Sequence, residues 1–189
     1  MRQPLASLAL LVLTAMPAFA VPRSYALQTE ASTVAFAWDF GNDEIRGKMP
    51  VASADLQIDF QALTNSKVDV AVDVTGAEAG FPFASQAMKG PKVLDAKRFP
   101  RIHFISTLVR PQGNDAVIEG NITVRGVTRP ISLFAQIYRQ RGTAPSDLTQ
   151  LAVLLTGALN RSDFGADGWS DMAGDQVRLR ILAYIQQAN

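Results

Sequence analysis

Apolar and polar residues alternate with a period of two along most of this chain. Val34, Phe36, Trp38 and Phe40 fall on one side of an extended segment, with Thr33, Ala35, Ala37 and Asp39 on the other. Ala54, Leu56, Ile58 and Phe60 alternate with Ser53, Asp55, Gln57 and Asp59, and Val68, Val70, Val72 and Val74 with Lys67, Asp69, Ala71 and Asp73. Successive side chains of a strand point to opposite faces, so each run reads as a strand with one drier face. Similar runs cover roughly 101–110, 115–124, 130–140, 149–160 and 175–187, which makes about eight strands.

Turn chemistry separates the runs. Gly41-Asn42-Asp43 closes a first hairpin, Thr64-Asn65-Ser66 a second, Gly113-Asn114-Asp115 a third and the stretch from Arg125 to Pro130 the next. The rhythm breaks over 77–100. There "FASQAMKG" predicts a short helix ended by Gly90-Pro91, and "KVLDAKRFP" predicts a further helical turn, giving a helical insertion near residues 82–98.

Many strands, almost no helix and one domain leave a sandwich or a barrel. A strand of about 12 residues spans roughly 40 Å. Long antiparallel strands expose long edges, and closing the sheet removes them. Two late strands are apolar on both faces. Ile131, Leu133, Ala135 and Ile137 oppose Phe134 and Tyr138, and Leu151, Val153, Leu155 and Leu159 oppose Ala152, Leu154 and Ala158. A sheet with one wet side would alternate more cleanly. Pattern alone admits a barrel with a dry interior and a partly dry outside, or a sandwich core with scattered surface apolar residues.

The first residues change the picture. Arg2, an apolar run over 5–16 and Ala18-Phe19-Ala20 have the layout of a secretory signal peptide cleaved after Ala20. The run is too short for a membrane span, which takes about 20 apolar residues. Residues 21–189 then form one domain, expected in the periplasm or secreted, with no integral membrane segment. Formal net charge is +1 and no basic block occurs, so nucleic acid is not an expected partner. Cysteine is absent, which excludes disulfides and a lipoprotein anchor.

Enzyme chemistry finds little support. The single His103 alternates with Ile102 and Phe104 on a strand and reads as structural. No G-x-S-x-G elbow is present, and zinc would need three or four His, Cys or carboxylate ligands. Asp163, Asp167, Asp171 and Asp175 recur every four residues, but the D-x-D-x-D-G spacing of a calcium loop is missing, and solvated carboxylates are the better reading. No nucleophile near 160–175 has an evident base, and no metal or cofactor is expected.

"LNRSDFG" (159–165), "ITVRGVTRPISL" (122–133), "KRFPRIHFIST" (97–107) and "YALQTEASTVAFAW" (25–38) stand in the order seen in the YceI-like, polyisoprenoid-binding family, which this chain resembles over nearly all of residues 21–189. The resemblance implies an all-β fold, an extended eight-stranded antiparallel up-and-down barrel of lipocalin type with a helical insertion. It also implies export, a long isoprenoid or similar amphiphile as partner, and the homodimers known in the family. Members often carry a histidine after the first strand, where this chain has Asp39-Phe40-Gly41, and a more polar segment where it has "VTGAEAGFPFASQAMKGPKVLD". That departure implies a more apolar mouth.

On this reading Phe36, Trp38, Phe40, Phe104 and Phe134 are candidate lumen residues, and Phe81, Phe83 and Met88 candidate ligand contacts at the mouth. The same residues would serve a packed core. Arg125 and Arg129 flank the turn, and Arg161 follows Asn160. Arg125 and Arg161 are the head-group candidates, because a guanidinium clamps phosphate or carboxylate. Turn formation and loop pinning are the competing roles, and the better supported ones. The expected function is non-enzymatic binding of a long-chain amphiphile, an isoprenoid quinone or polyprenyl-type lipid. The alternative is an interaction module that uses the barrel as a dimeric scaffold without a lipid.

Overall fold

The alternating segments pair in chain order into one closed antiparallel sheet. A computed structural model describes residues 22–139 and 142–188, and the expected signal peptide over 1–20 lies outside them. The strands are β1 (Arg23–Leu27), β2 (Thr33–Phe40), β3 (Asp43–Met49), β4 (Val51–Ile58), β5 (Lys67–Asp73), β6 (Glu78–Ala79), β7 (Arg101–Gln112), β8 (Asp115–Val124), β9 (Val127–Arg139), β10 (Gln150–Asn160) and β11 (Ala173–Gln187), with one helix, α1 (Pro82–Lys89).

Eleven segments make eight staves. The ring runs β1-β4-β5-β7-β8-β9-β10-β11, and the pairing of β1 with β11 closes it. β2 continues β1 along the same edge of β11, where Leu27 pairs with Ile185 and Thr33 with Leu182. β3 and β4 form one stave interrupted at Pro50, and β5 and β6 another interrupted over 74–77. The expected eight-stranded up-and-down barrel is therefore present, with three of its staves broken. Proline has no N–H for the ladder, which accounts for the interruption at Pro50.

The segments missed by alternation are short or highly charged. β3 carries Asp43, Glu44, Arg46 and Lys48 around a buried Ile45, so its apolar face is nearly invisible in sequence. The insertion is less helical than expected, since only 82–89 forms helix. Gly90 and Pro91 end it, and residues 90–99 run through hydrogen-bonded turns such as Val93 N–H to Gly90 O (3.1 Å) and Phe99 N–H to Asp95 O (2.9 Å).

Helix α1 begins with Pro82, whose missing N–H costs nothing in a first turn. Ala84 and Met88, four residues apart, face the same way and pack with Phe36, Ile45, Ala77 and Ala79. The helix thereby walls the barrel where β6 is only two residues long. The β8–β9 turn is tied to the same insertion, because Arg125 Nη1 donates to the carbonyls of Pro91 (2.9 Å) and Val93. Arg125 and Gly126 both have left-handed backbone (φ 51° and 76°), as a two-residue hairpin with the right twist requires.

Candidate functional site: the barrel lumen and its mouth

One face of every stave points into a cavity of about 510 Å³. On β5 it is Val68, Val70 and Val72, on β9 Ile131 and Leu133, and on β10 Val153, Leu155 and Leu159. The volume falls within the range of about 300–1,000 Å³ usual for small-ligand sites. Among the described residues, the lining side chains with polar atoms are Ser32, Arg161 and the two indoles. Both Ser32 and Arg161 are engaged elsewhere. Ser32 Oγ donates to Gln28 O (2.7 Å) and accepts from Tyr184 N–H (3.0 Å), at the break between β1 and β2.

The aromatic side chains of the lumen leave it open. Phe36 lies against Gly47 of the paired strand, where a Cβ would come within 2.4 Å of the ring. Phe104 lies against Gly120 in the same way, with its ring 2.6 Å from where a Cβ would stand. The missing side chains let both rings lie along the wall. Trp38 stacks on Phe36, centroids 5.9 Å apart and planes 14° from parallel.

The two ends of the cavity differ. At one end Tyr25, Leu56, Leu151 and Ile185 are buried together. The Tyr25 hydroxyl donates to Leu148 O (3.0 Å), and its ring meets Phe60 edge-on at 5.8 Å. Burial raises the pKa of that hydroxyl, with the nearby Arg23 pulling the other way. The loop beside it is organised by buried Asp59, whose carboxylate accepts from Gln61 N–H and Ala62 N–H (2.9 Å each) and from Asn65 Nδ2 (3.2 Å). Burial alone would raise the Asp59 pKa; these hydrogen bonds outweigh it and lower the value.

At the other end Phe81, Phe83, Trp169 and Met172 line the cavity while about half exposed: 49%, 66%, 48% and 50%. They come from the start of α1 and from the β10–β11 connection. The β10–β11 connection meets the turns that follow α1 through Gly168 N–H to Lys92 O (2.9 Å), and Gly41 N–H of the β2–β3 turn donates to Met172 O (2.9 Å).

Arg161 builds this mouth from inside the connection. Its Nε donates to Gly174 O (3.0 Å), Nη1 to Ala166 O (2.6 Å) and Gly168 O (2.7 Å), and Nη2 to Ala173 O (2.8 Å). A guanidinium has five N–H donors in a fixed fork, and four bonds to one loop leave little for a ligand. Arg161 is therefore a loop pin, and Arg125 is likewise committed to the insertion. For both residues these bonds favour the turn and loop roles over the competing head-group one.

Phe36, Trp38, Phe40 and Phe104 all line the cavity. So do Phe81, Phe83 and Met88, although Met88 is buried in the wall (6% exposed), unlike the two exposed rings. Phe134 does not line it. It has the opposite parity to Ile131 and Leu133 on a β9 without bulges, so it faces outward, paired with Val117 and Thr156. The lumen assignment of Phe134 is thus corrected: where both faces of a strand are apolar, the aromatic face need not be the inner one.

Sequence reasoning missed Trp169 and Met172, which sit in a stretch read as solvated carboxylates. A tryptophan and a methionine inside "GWSDM" were the available signal. Asp175 there accepts from the N–H and Oγ of Ser162 (2.9 and 2.8 Å), and among the described residues no group of three or more His, Cys, Asp or Glu could hold a metal ion. On the barrel exterior near the mouth, Arg178 bridges Asp39 (2.6 Å) and Glu44 (2.9 Å). The hydrogen bond from Arg178 lowers the Asp39 pKa, those from Arg46 and then Arg178 lower that of Glu44, and the Arg178 pKa is raised in return.

Comparison with known proteins agrees with this architecture. Residues 25–184 match the YceI-like domain. A UPF0312 protein of Vibrio parahaemolyticus is 25% identical over 181 residues, covering 91% of this chain and 95% of its own. Protein YceI of Salmonella arizonae is 27% identical over 115 residues, 61% of this chain and 60% of its own. Among solved structures, Burkholderia cenocepacia BcnA superposes with a TM-score of 0.74 at 18% identity, covering 84% of this chain and 99% of that one. A polyisoprenoid binding domain from Saccharophagus degradans, described as implicated in plant cell wall breakdown, gives 0.65 at 10% identity, covering 88% and 99%.

Proposed function

We propose that this chain, which belongs to the YceI-like family, holds the hydrocarbon tail of a long-chain amphiphile in its lumen and catalyses no reaction on it. An isoprenoid quinone or a polyprenyl-type lipid has the required shape. The carrying observation is the 510 Å³ apolar cavity, open among exposed apolar side chains and closed at its far end. The polyisoprenoid-binding description of the Saccharophagus degradans domain, which shares the fold, supports the reading.

Energetics favours a long tail. Each buried CH₂ contributes about 0.8 kcal/mol, so ten give roughly 8 kcal/mol before the costs of association and ordering. A short lipid would not offset those costs. Among the described residues the lumen offers no free cation, so the head group stays at or beyond the mouth. The signal-peptide layout of residues 1–20 supports action in the periplasm or outside the cell, where a lipid between membranes needs a dry container.

Organic extraction of the purified protein followed by mass spectrometry tests this. A co-purifying long-chain lipid is expected from the wild type, and its amount should fall in Leu155→Trp, which fills the bore. An empty extract, together with no uptake of added polyprenol or quinone, would sink the proposal.

A second reading rests on the outer face, where Phe134, Tyr138, Leu154 and Tyr184 lie on neighbouring strands with outward parity. It makes the barrel a scaffold for a homodimer. Light scattering decides it, since a monomer at high concentration would remove its support.

A further inference from the structure

The rim of the cavity combines two features that a soluble container would not need. Four large apolar side chains, Phe81, Phe83, Trp169 and Met172, stand about half in water around one opening. Trp169 also has left-handed backbone, with φ of 62°. A bulky side chain pays for that conformation in strain, and the loop holds it there through Trp169 O, which accepts from Met172 N–H (3.0 Å) and Ala173 N–H (2.7 Å). Glycine or asparagine would sit there at less cost. The loop thus keeps an exposed indole at the mouth against the local backbone preference.

We propose that this rim docks on the surface of a lipid bilayer, so that an apolar tail passes between bilayer and lumen without crossing water. The proposal rests on the lumen's holding a lipid tail, which fixes the occupant: a tail of that kind resides in a membrane, and the rim is continuous with the lining that receives it. Aromatic side chains suit the interfacial zone, where one part of the ring is dry and the indole N–H stays wet. The charges around the mouth have both signs. Asp43, Glu44 and Arg46 share a groove with Phe81, Lys89 and Lys92 lie in the insertion that carries α1, and Asp163, Asp167 and Asp171 lie in the β10–β11 connection. Such a rim has no electrostatic demand for anionic lipid, and docking is driven by apolar burial.

Sedimentation with phosphatidylcholine vesicles tests the proposal. The full-length mature protein should pellet with uncharged-surface vesicles, equally at 0.1 and 0.5 M salt. The double variant Phe83→Asp with Trp169→Asn should partition at least tenfold less. Trp169→Asn relieves the left-handed strain, so its thermal midpoint should equal or exceed that of the wild type; a merely structural tryptophan would leave a destabilised protein. In Trp38→Phe the indole of Trp169 is the sole tryptophan, and its emission should shift to the blue on adding vesicles.

Wild-type protein that stays in the supernatant, or a double variant that pellets equally well, overturns the proposal. So does a rim covered by a second copy, seen as a wild-type dimer that the double variant converts to monomer. Lipid found in the extract without vesicle binding defeats docking alone, whereas vesicle binding by a protein that takes up no lipid defeats the container alone.

Discussion

Both ends of the barrel carry aromatic residues and use them in opposite ways. At the closed end Tyr25 is 3% exposed, its hydroxyl has an acceptor and its ring has an edge-on partner. At the mouth Phe83 is 66% exposed and Trp169 48%, and neither forms a ring contact among the described residues. Aromatic content alone therefore says nothing about role. What separates a plug from a rim is whether the polar atoms and the second ring face come with the residue. The closed end is built to be stable by itself, and the mouth is left with apolar surface that something else must cover.

Substitutions can break that contrast. Tyr25→Ala should cost about 4 kcal/mol in urea unfolding, because it removes a buried ring and strands an acceptor. Phe83→Ala should stay within about 0.5 kcal/mol, as exposed substitutions do. Equal effects at the two ends would erase the distinction. Next in size, Arg161→Ala should cost about 3 kcal/mol, since four carbonyls lose a charged donor. Arg161→Lys should recover only part, because an ammonium cannot reproduce the fork. A full recovery would mean that charge alone, and not geometry, holds the mouth loop.

Acid should act on both ends, with different salt dependence. Asp39 and Glu44 outside the mouth and Asp59 at the closed end all have lowered pKa values. They release protons more readily folded than unfolded, so the stability they contribute is fully present above the unfolded carboxylate value of about 4 and is lost as pH falls through the folded values. The urea midpoint should therefore drop below about pH 4. Arg178→Gln should flatten part of that drop by releasing Asp39, while Glu44 keeps its bond from Arg46, and 0.5 M salt should shrink the difference because those groups are exposed. The share due to Asp59, tested with Asp59→Asn, should persist in salt. This is the smallest of the effects.

Much of the fold was legible in the chain. The face of Val68, Val70 and Val72 against Lys67, Asp69 and Ala71 placed a stave and its inner side, and the turns at Gly41-Asn42 and Gly113-Asn114 placed two reversals where they occur. The strand count was reached although β1, β3 and β6 went unread, because each is a fragment of a stave whose other half was seen. The helical insertion was legible up to Gly90 and overextended beyond it, since the turns of 90–99 are held by contacts with the rest of the insertion and with Arg125.

The site was legible by residue type and not by direction. Seven of the eight lumen and mouth candidates line the cavity, but Phe134 faces out, since two apolar faces of one strand look alike until neighbouring strands fix which is enclosed. Local alternation, a short-range property, determined the strands and the dry face of most staves. Tertiary structure decided closure, the flat placement of Phe36 and Phe104 over Gly47 and Gly120, the diversion of Arg161 into its own loop, and the gathering of Trp169 and Met172 with Phe81 and Phe83. Each of these depends on residues far apart in the chain meeting at one point in space, and no periodicity along the chain carries that information.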